Sequence, residues 1–592
     1  MLERTLPDEA VTAPPAPLAP RRVLFFALVG LTIAALGWLL VVALSAGGFG
    51  VLDLVLVVLF TVTLPWFVIG FWNAAIGFLV MRFARDPVAT VTPAAARVAE
   101  DAPITASTAI LACIRNEPPE RVVRHLVPMM DGLAARGVGD HFHLYVLSDS
   151  DEPTVVAAEA AGFAALASTW RGRVAISYRR REQNSGFKAG NISDFCERWG
   201  DNHDYALVLD ADSVMTADAV LRLVRVMQSD PQLGILQSLV VGMPSSSAFA
   251  RIFQFGMRLG MRSYTIGSAW WQGDCGPYWG HNALVRLQPF RAHCALPLLS
   301  DGEHVLSHDQ IEAVLMRRAG YEVRVLPEEG ASFEENPPTL PEFIRRDLRW
   351  AQGNMQYWPY LVMRGLRPVS RYQIAFAMLM FLGSPAWIGL LVIGTLALAA
   401  AGTPEAFIRA DAGATLFFII VVMWFAPKIA TVFDVLSRPA LRRAFGGPVR
   451  FITSVVTETV FFLMLSPIMW VGHTMFLTGL VLGKKIGWGG QARDDHAVSW
   501  ADAARVLWPH TLIGCGCIAV LAFTVPSAIP YALFIAGGPA LSIPLAVVTS
   551  RPSVGQALMR VGIGALPEEN APPAPLRALA LPAIEAAALR AA

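Results

Sequence analysis

Two kinds of hydrophobic pattern share this chain. Long, mainly apolar runs occupy residues 23–45, 54–81, 374–401 and 412–436. Each is near or above the roughly 20 residues a helix needs to cross the hydrocarbon core of a bilayer. Residues 451–482 form a further apolar block, too long for one ordinary span and too short for two. Pro467 in its middle predicts a hinged or partly interfacial pair of helices. Residues 511–548 carry Pro526, Pro530, Pro539 and Pro544 and predict a final hairpin. The pattern predicts six clear spans, or eight if the hinged block crosses twice.

Between 82 and 370 the pattern changes. Short apolar runs, at 107–113, 143–148, 174–178, 205–209 and 234–237, alternate with amphipathic stretches at 119–136, 154–169, 188–199, 216–229 and 308–319. Strands alternating with helices predict an α/β domain with a mostly parallel, doubly wound sheet. The chain is thus read as a polytopic α-helical membrane protein with an inserted α/β domain. Its parts are a tail (1–22), a transmembrane hairpin (23–81), the inserted domain (82–370), a second transmembrane region with interfacial helices (371–550) and a Pro/Ala-rich tail (551–592) read as disordered.

Charge sets the orientation. Arg21 and Arg22 precede the first run, Arg82 and Arg85 follow the second, and the 47–53 link has no basic residue. The link 438–450 is again basic. The positive-inside bias then places the inserted domain and both termini in the cytoplasm. A signal peptide is disfavoured, because the first apolar run is too long and a second span follows closely. Composition agrees: 54% of residues are hydrophobic and 16% charged, against roughly 25% charged in soluble domains. A formal net charge of +1 offers no field for nucleic acid. Six scattered cysteines without a CxxC pair point to neither a zinc site nor a disulfide framework. Lys428 and Glu458 interrupt apolar runs, as snorkelling side chains or as an interhelical pair on a polar path.

In doubly wound sheets ligands bind beyond the carboxyl ends of the strands. The first predicted strand leads into Asn116 and Glu117, the second into Asp149, and the fourth into Asp210-Ala-Asp212. The third is followed by Asn184-Ser-Gly-Phe-Lys188-Ala-Gly-Asn191. No Walker loop and no GxGxxG is present. A DxD turn can present carboxylates to Mg2+ or Mn2+, which binds one or two carboxylates together with substrate phosphates. Lys188 opens a helix whose N-terminus already favours anions. Asp149 can accept hydrogen bonds from a nucleobase or ribose. Ser307-His308-Asp309 begins a later helix, and Asp309 is the candidate base for an acceptor hydroxyl. Arg346-Asp-Leu-Arg349-Trp350 follows just before the next span. Arg349 suits phosphate, and Trp350 suits either a sugar face or a membrane interface. Trp270, Trp271, Tyr278, Trp279, Tyr357, Trp358 and Tyr360 suit a saccharide path or an interfacial belt.

The ordered set Asp149, Asp210-Ala-Asp212, Ser307-His308-Asp309 and Arg346-x-x-Arg349-Trp350 resembles the D, DxD, TED and QxxRW pattern of the family 2 processive glycosyltransferases, such as cellulose and hyaluronan synthases. Two positions depart from it: Ser-His-Asp stands for TED, and Arg346 for the glutamine. With Asn184 to Ile192, Gly280-His281-Asn282 and Arg345 to Asn354, these departures resemble the glucans biosynthesis glucosyltransferase H family. The resemblance implies a GT-A type domain and an inverting, processive enzyme. It implies polymerisation of β-1,2-linked glucose from UDP-glucose at the inner membrane of a Gram-negative bacterium, and export of an osmoregulated periplasmic glucan.

Carried over by position, Asn116, Glu117, Asp149, Lys188, Asn191, Asp210, Arg346 and Arg349 would hold the nucleotide sugar. Asp210 and Asp212 would hold Mg2+ or Mn2+, and both are counted with Asp309 as catalytic. His281, Asn282, His308 and Trp350 would face the acceptor. Implied partners are UDP-glucose, the growing glucan, membrane lipid, a periplasmic glucan biosynthesis protein G and acyl carrier protein. Residues 484–495 lie where cellulose synthases carry a gating loop, with a different motif. Competing expectations are single-sugar transfer to a polyprenyl phosphate, β-1,4 glucan synthesis, and a transporter with a nucleotide-binding domain.

Overall fold

The structure, a computed structural model, describes residues 18–299, 301–486 and 493–580. Ten strands form two sheets. β1 (Thr108–Ile114), β2 (Phe142–Ser148), β3 (Ala175–Arg180), β4 (Tyr205–Asp210), β6 (Leu233–Ser238), β8 (Ala283–Arg286) and β9 (Glu322–Leu326) make a seven-stranded sheet in the order β3-β2-β1-β4-β8-β6-β9. Every neighbouring pair is parallel except those made by β8, which runs antiparallel to both β4 and β6. The doubly wound expectation therefore holds, with β8 making the sheet mixed. β5 (Val214–Met215), β7 (Val241–Gly242) and β10 (Ser332–Glu334) form a small second sheet just past the DxD turn.

Period-two alternation sends the two faces of the large sheet into separate cores. Ile110, Leu144, Val146, Leu207 and Leu209 face the Pro119–Ala135 and Ala217–Ser229 helices. Leu111, Leu147, Ala206 and Val208 face Phe195, Ile311 and Val314 on the opposite side. With both faces covered, the strands read as nearly continuous apolar runs.

Among the described residues six helices are long and apolar enough to cross a membrane: Leu18–Gly47, Val51–Phe83, Pro368–Ala401, Ala410–Ser437, Pro448–Val481 and Trp500–Thr524. A bent pair, Pro526–Ala540 and Ser542–Thr549, meets at 56° and makes up to seven. The link ends sort onto two sides. Arg409 N donates to Ala43 O, which brings the 402–411 link beside the 47–53 turn. Arg438 donates to Met81 O at 3.1 Å, which brings the basic link beside the start of the α/β domain. Arg22 reaches the carbonyls of Trp271 and Gln272 at 3.3 and 2.6 Å, so the first span begins against that same domain.

Residues 451–482 correct the hinged-pair expectation. All but Leu482 lie in one continuous helix, Pro448–Val481. Its 34 residues measure about 51 Å at 1.5 Å each, so one end stands outside the roughly 30 Å core. Pro467 removes a single backbone bond and is buried in the bundle, where neighbouring helices tolerate such losses.

The tail is also corrected. Residues 552–580 contain the helices Pro552–Val561, Pro567–Asn570 and Ala574–Ala580. Glu568 and Glu569 pair with the buried Arg258 and Arg251, each at 2.9 Å. Two buried guanidinium groups need carboxylates, and the tail supplies them. Residues 581–592 lie outside the described residues.

The Ala248–Gln272 helix joins domain to membrane. Gly77 and Gly267 let it cross the Val51–Phe83 helix with backbones in contact, since a Cβ on either would overlap the opposite main chain. Small residues serve such close crossings. Trp271 Nε1 donates to Asn73 Oδ1 at 2.9 Å across the same seam.

Candidate active site

The cleft opens at the carboxyl ends of β1, β2 and β4. Ser148 ends β2, and Asp149 follows it, 7% exposed. Arg181, just past β3, grips both its carboxylate oxygens, Nε to Oδ1 and Nη2 to Oδ2, each at 2.7 Å. Arg181 also donates to Asn184 Oδ1 and to the carbonyls of Ser185 and Phe187, at 2.9–3.2 Å. One guanidinium thus fixes Asp149 and shapes the loop before Lys188. Gly186 has φ +72° there, and Phe187 shares the left-handed region at 53°, so the turn into the Phe187–Trp199 helix rests on these bonds.

Lys188 Nζ reaches across to Asp210 Oδ1 and to the carbonyl of Gly280, the latter at 2.7 Å. Gly280 in turn adjoins the base candidate: a Cβ built on it would lie 3.3 Å from Asp309 Cβ and 3.7 Å from His308 Nε2. Its φ of +79° suits glycine. Lys188, Asp210 and Asp309 therefore converge on one residue. Desolvation alone would raise Asp210; Lys188, with His281 and Arg493, instead holds it down to about 2. Desolvation raises Asp309 above the usual carboxylate range, opposed by His308.

His308 Nδ1 donates to Glu312 Oε2 at 2.6 Å. Burial pushes it down, but the Glu312 carboxylate more than offsets this and raises it. The buried Tyr357 hydroxyl faces Asp309 and is held well above its ordinary value by burial and that carboxylate.

Asp212 is contacted by Arg493 Nη1. Arg493 also stands 3.6 Å from Glu117 Oε1. His281 Nε2 lies 3.5 Å from Glu334 Oε2, and burial raises Glu334.

The Leu340–Met355 helix closes the membrane side. Arg346 donates to Asn336 Oδ1 at 3.2 Å and lies over the Trp350 ring at 4.7 Å. Trp350 is 45% exposed, on the open side of this helix. Arg349 is also engaged within the protein. Asp347 Oδ2 meets His473 Nε2 at 2.5 Å, and His473 Nδ1 meets Ser384 Oγ at 3.0 Å. The motif helix is thereby bonded to two membrane helices.

Three of the expected ligand residues are bonded into the framework of the cleft. Asn116 Oδ1 accepts from the backbone of Asp151 and Glu152, and its amide donates to Asp151 Oδ1. Asn191 is 1% exposed, with Oδ1 on Arg179 and Nδ2 on Leu147 O. Asn282 is fully buried and donates to Ser332 Oγ and Phe333 O. These bonds stitch together the loops that frame the cleft. Among the aromatics, Trp271, Tyr278 and Tyr357 are fully buried and Tyr360 nearly so, while Trp358 is exposed. They serve the core more than an open saccharide path.

Sequence reasoning missed Arg181 and Arg493. A run of three arginines, Arg179 to Arg181, at a strand's carboxyl end was the available signal for the first. The second lies within the 484–495 stretch marked by its position, but nothing local pointed to its contact with Asp212.

Asp210 and Asp212 are hard oxygen donors with no third protein ligand gathered beside them among the described residues, a set that fits a divalent ion only where water and substrate phosphate fill its remaining positions.

Residues 205–431 match the model of glycosyl transferase family group 2. A glucans biosynthesis glucosyltransferase H from Ralstonia nicotianae is 36% identical over 582 residues, 95% of this chain and 67% of that protein. Its counterpart from Xanthomonas campestris pv. campestris is 35% identical over 572 residues, 93% of this chain and 87% of that protein. Among solved structures, a mannosyltransferase from Pyrobaculum calidifontis in complex with GDP-Man and Mn2+ aligns with 62% of this chain and 99% of its own, at 16% identity and TM-score 0.38, a slight likeness.

Proposed function

The chain belongs to the glucans biosynthesis glucosyltransferase H family, and from that premise we propose that it polymerises β-1,2-linked glucose from UDP-glucose and passes the glucan across the inner membrane to the periplasm. It is a glycosyltransferase with a family 2 domain. The observation that carries the finer reading is the meeting of Lys188, Asp210 and Asp309 around Gly280.

In this reading Asp149, oriented by Arg181, accepts from the uracil. Lys188 and Arg349 attract the diphosphate. Asp210 and Asp212 hold Mg2+ or Mn2+, which when bound neutralises the diphosphate as a leaving group. Asp309 takes the proton from an acceptor hydroxyl as its oxygen attacks C1 of glucose. The C1–O bond to the diphosphate breaks, UDP leaves with the electron pair, and inversion turns an α-linked donor into a β-linked product. Burial raises the pKa of Asp309, which makes its carboxylate a stronger base for that proton. Trp350, with His281 and His308, lines the acceptor side; Glu117 shapes the donor side through Arg493.

Export is supported by a cavity of about 380 Å³ between membrane helices and the Ala248–Gln272 helix. Trp66, Tyr264, Trp424 and Phe462 line it, with Lys428 and Glu458 paired at 2.6 Å in its wall. Aromatic faces suit sugar rings, and a buried intramembrane pair marks a polar path. Periplasmic protein G and acyl carrier protein are partners on the family reading, with the catalytic domain and both termini cytoplasmic.

Asp309→Asn tests the assignment. Turnover of UDP-glucose should vanish while UDP binding persists. Retained turnover would remove Asp309 as the base, and loss of UDP binding would make it a donor-site residue.

A further inference from the structure

The Leu340–Met355 helix is read on two faces at helical spacing. Arg346, Trp350 and Gly353 make one: Arg346 stands over the Trp350 ring at 4.7 Å, and Gly353 abuts Ser307 beside the candidate base. Asp347, Ala351 and Asn354 make the other, and it is fastened to membrane helices. Asn354 Nδ2 donates to Ala377 O at 3.1 Å. Ala351 packs with Phe381 and Leu477. Asp347 Oδ2 accepts from His473 Nε2 at 2.5 Å, and His473 Nδ1 meets Ser384 Oγ at 3.0 Å. The partners Ala377, Phe381 and Ser384 follow in reverse order, so the motif helix lies antiparallel along the start of the Pro368–Ala401 helix.

The Asp347–His473–Ser384 thread is buried: Ser384 is 2% exposed and His473 7%. An ionised carboxylate only accepts. His473 therefore gives Nε2–H to Asp347 and turns Nδ1 to the Ser384 hydroxyl. Phe381 stands edge-on to the imidazole at 5.0 Å and holds its plane. Pro385, next to Ser384, cannot donate the helix bond that Phe381 O would accept. His473 thus ties the motif helix to a weakened turn of the membrane helix. About one turn further along both helices, Trp387 and Trp470 stack at 4.7 Å, and Trp470 stacks on Trp424 at 5.7 Å. Trp424 lines the cavity between the membrane helices. Contacts therefore run unbroken from the helix that carries Trp350 to the wall of that cavity.

The transfer step as derived above makes no use of His473. Asp309, Lys188 and the DxD turn stand on other elements. What His473 fixes is the set of the motif helix against the membrane helices. A growing glucan is held at both places, on Trp350 and in the cavity, and each added sugar requires the two to be in line. We propose that His473 is a positioning residue that keeps the Trp350 platform aligned with the cavity, and so sets the length of the glucan rather than the rate of glucosyl transfer. This rests on the polymerisation and export reading and deepens it. Length reflects extension of the chain against its release. A platform set loosely against the cavity releases the chain more often, while Asp309 still serves each acceptor that is bound.

The test uses the full chain in lipid nanodiscs with UDP-glucose labelled in the sugar and Mg2+, reading UDP release and glucan size in the same reaction. His473→Phe removes both hydrogen bonds and keeps a ring. It should release UDP at close to the wild-type rate and make glucan shorter by about threefold or more, the scale of a lost coupling within one bonded network. His473→Gln, whose amide can donate to Asp347 and accept from Ser384, should restore length. Ser384→Ala trims a single hydroxyl, so it answers the question even where His473→Phe does not fold; its product should also be shorter at a retained rate. Wild-type length in Ser384→Ala together with His473→Phe or alone, or UDP release that falls in step with length, would overturn the proposal and leave polymerisation standing. A wild-type protein that makes no glucan from UDP-glucose would remove the polymerisation reading and this inference with it.

Discussion

Gly353→Ala places a methyl group where the structure has no room for one. Gly353 sits near the end of the Leu340–Met355 helix and touches the segment that delivers Asp309. A Cβ there would overlap Ser307 Oγ and stand 2.8 Å from Ser307 Cβ and 2.9 Å from Ser307 N. Since one of these is backbone, rotating a side chain gives no relief. The segment is also pinned nearby, because Leu306 N donates to Gln356 Oε1 at 2.8 Å. Overpacking of this kind costs about 1–3 kcal/mol. The strain is relieved most directly by moving residues 307–309 away from the helix. A displacement of about 1 Å in a catalytic group costs on the order of 100-fold in rate. Asp149 follows β2 and Lys188 opens the Phe187–Trp199 helix, both outside this contact, so UDP affinity should stay as in the wild type. The assay is kcat and KM for UDP-glucose beside UDP binding. The prediction is a kcat lower by about 100-fold with UDP binding retained, and partial recovery in Ser307→Gly/Gly353→Ala. Wild-type kcat in Gly353→Ala, or parallel loss of UDP binding, would refute the coupling of the motif helix to the base.

Arg181→Lys replaces a two-point grip on Asp149 with one point. Losing one charge-assisted bond should raise KM for UDP-glucose by about tenfold or more with a smaller change in kcat, read from steady-state kinetics. The pH profile follows from Asp309: its pKa is raised by burial, and the base works only when deprotonated. Activity should therefore rise with pH along a limb displaced above the ordinary aspartate range, a limb measured by kcat/KM against pH. In the membrane, Glu458→Gln leaves Lys428 buried without its partner, at a cost of about 3–5 kcal/mol. Lys428→Met/Glu458→Leu should recover most of it, as thermal unfolding in detergent would reveal. Failure of the swapped pair Lys428→Glu/Glu458→Lys to rescue either single reversal would dissolve the pair.

How much was legible in the sequence depended on where each signal lay. β1, β2 and β4 are apolar runs buried on both faces, ending in Glu117, Asp149 and Asp210, so run length and strand-end chemistry located the cleft together. β8 has four residues and owes its existence to pairing with β4 and β6, which no local pattern announces. Pro467 suggested a break because proline disrupts an isolated helix; in the bundle its lost bond is sheltered by neighbours. The Pro/Ala-rich composition after Arg551 suggested disorder, but Arg251 and Arg258 lie far upstream and draw Glu569 and Glu568 into place. Asn191 and Asn282 stand inside motif-like stretches, and sequence alone could not separate a side chain facing a sugar from one stitching the loop that holds it. Arg493 meets Asp212 only through the fold.

The central claim is that this chain builds a glucan from UDP-glucose. Purified protein reconstituted in lipid, given UDP-glucose labelled in the sugar and Mg2+, tests it in one product analysis. The account predicts UDP release together with a long β-1,2-linked glucan, separable by size and identified by linkage analysis. A single glucose on a lipid phosphate would contradict polymerisation, a β-1,4 product would contradict the linkage, and no UDP release at all would contradict the enzyme.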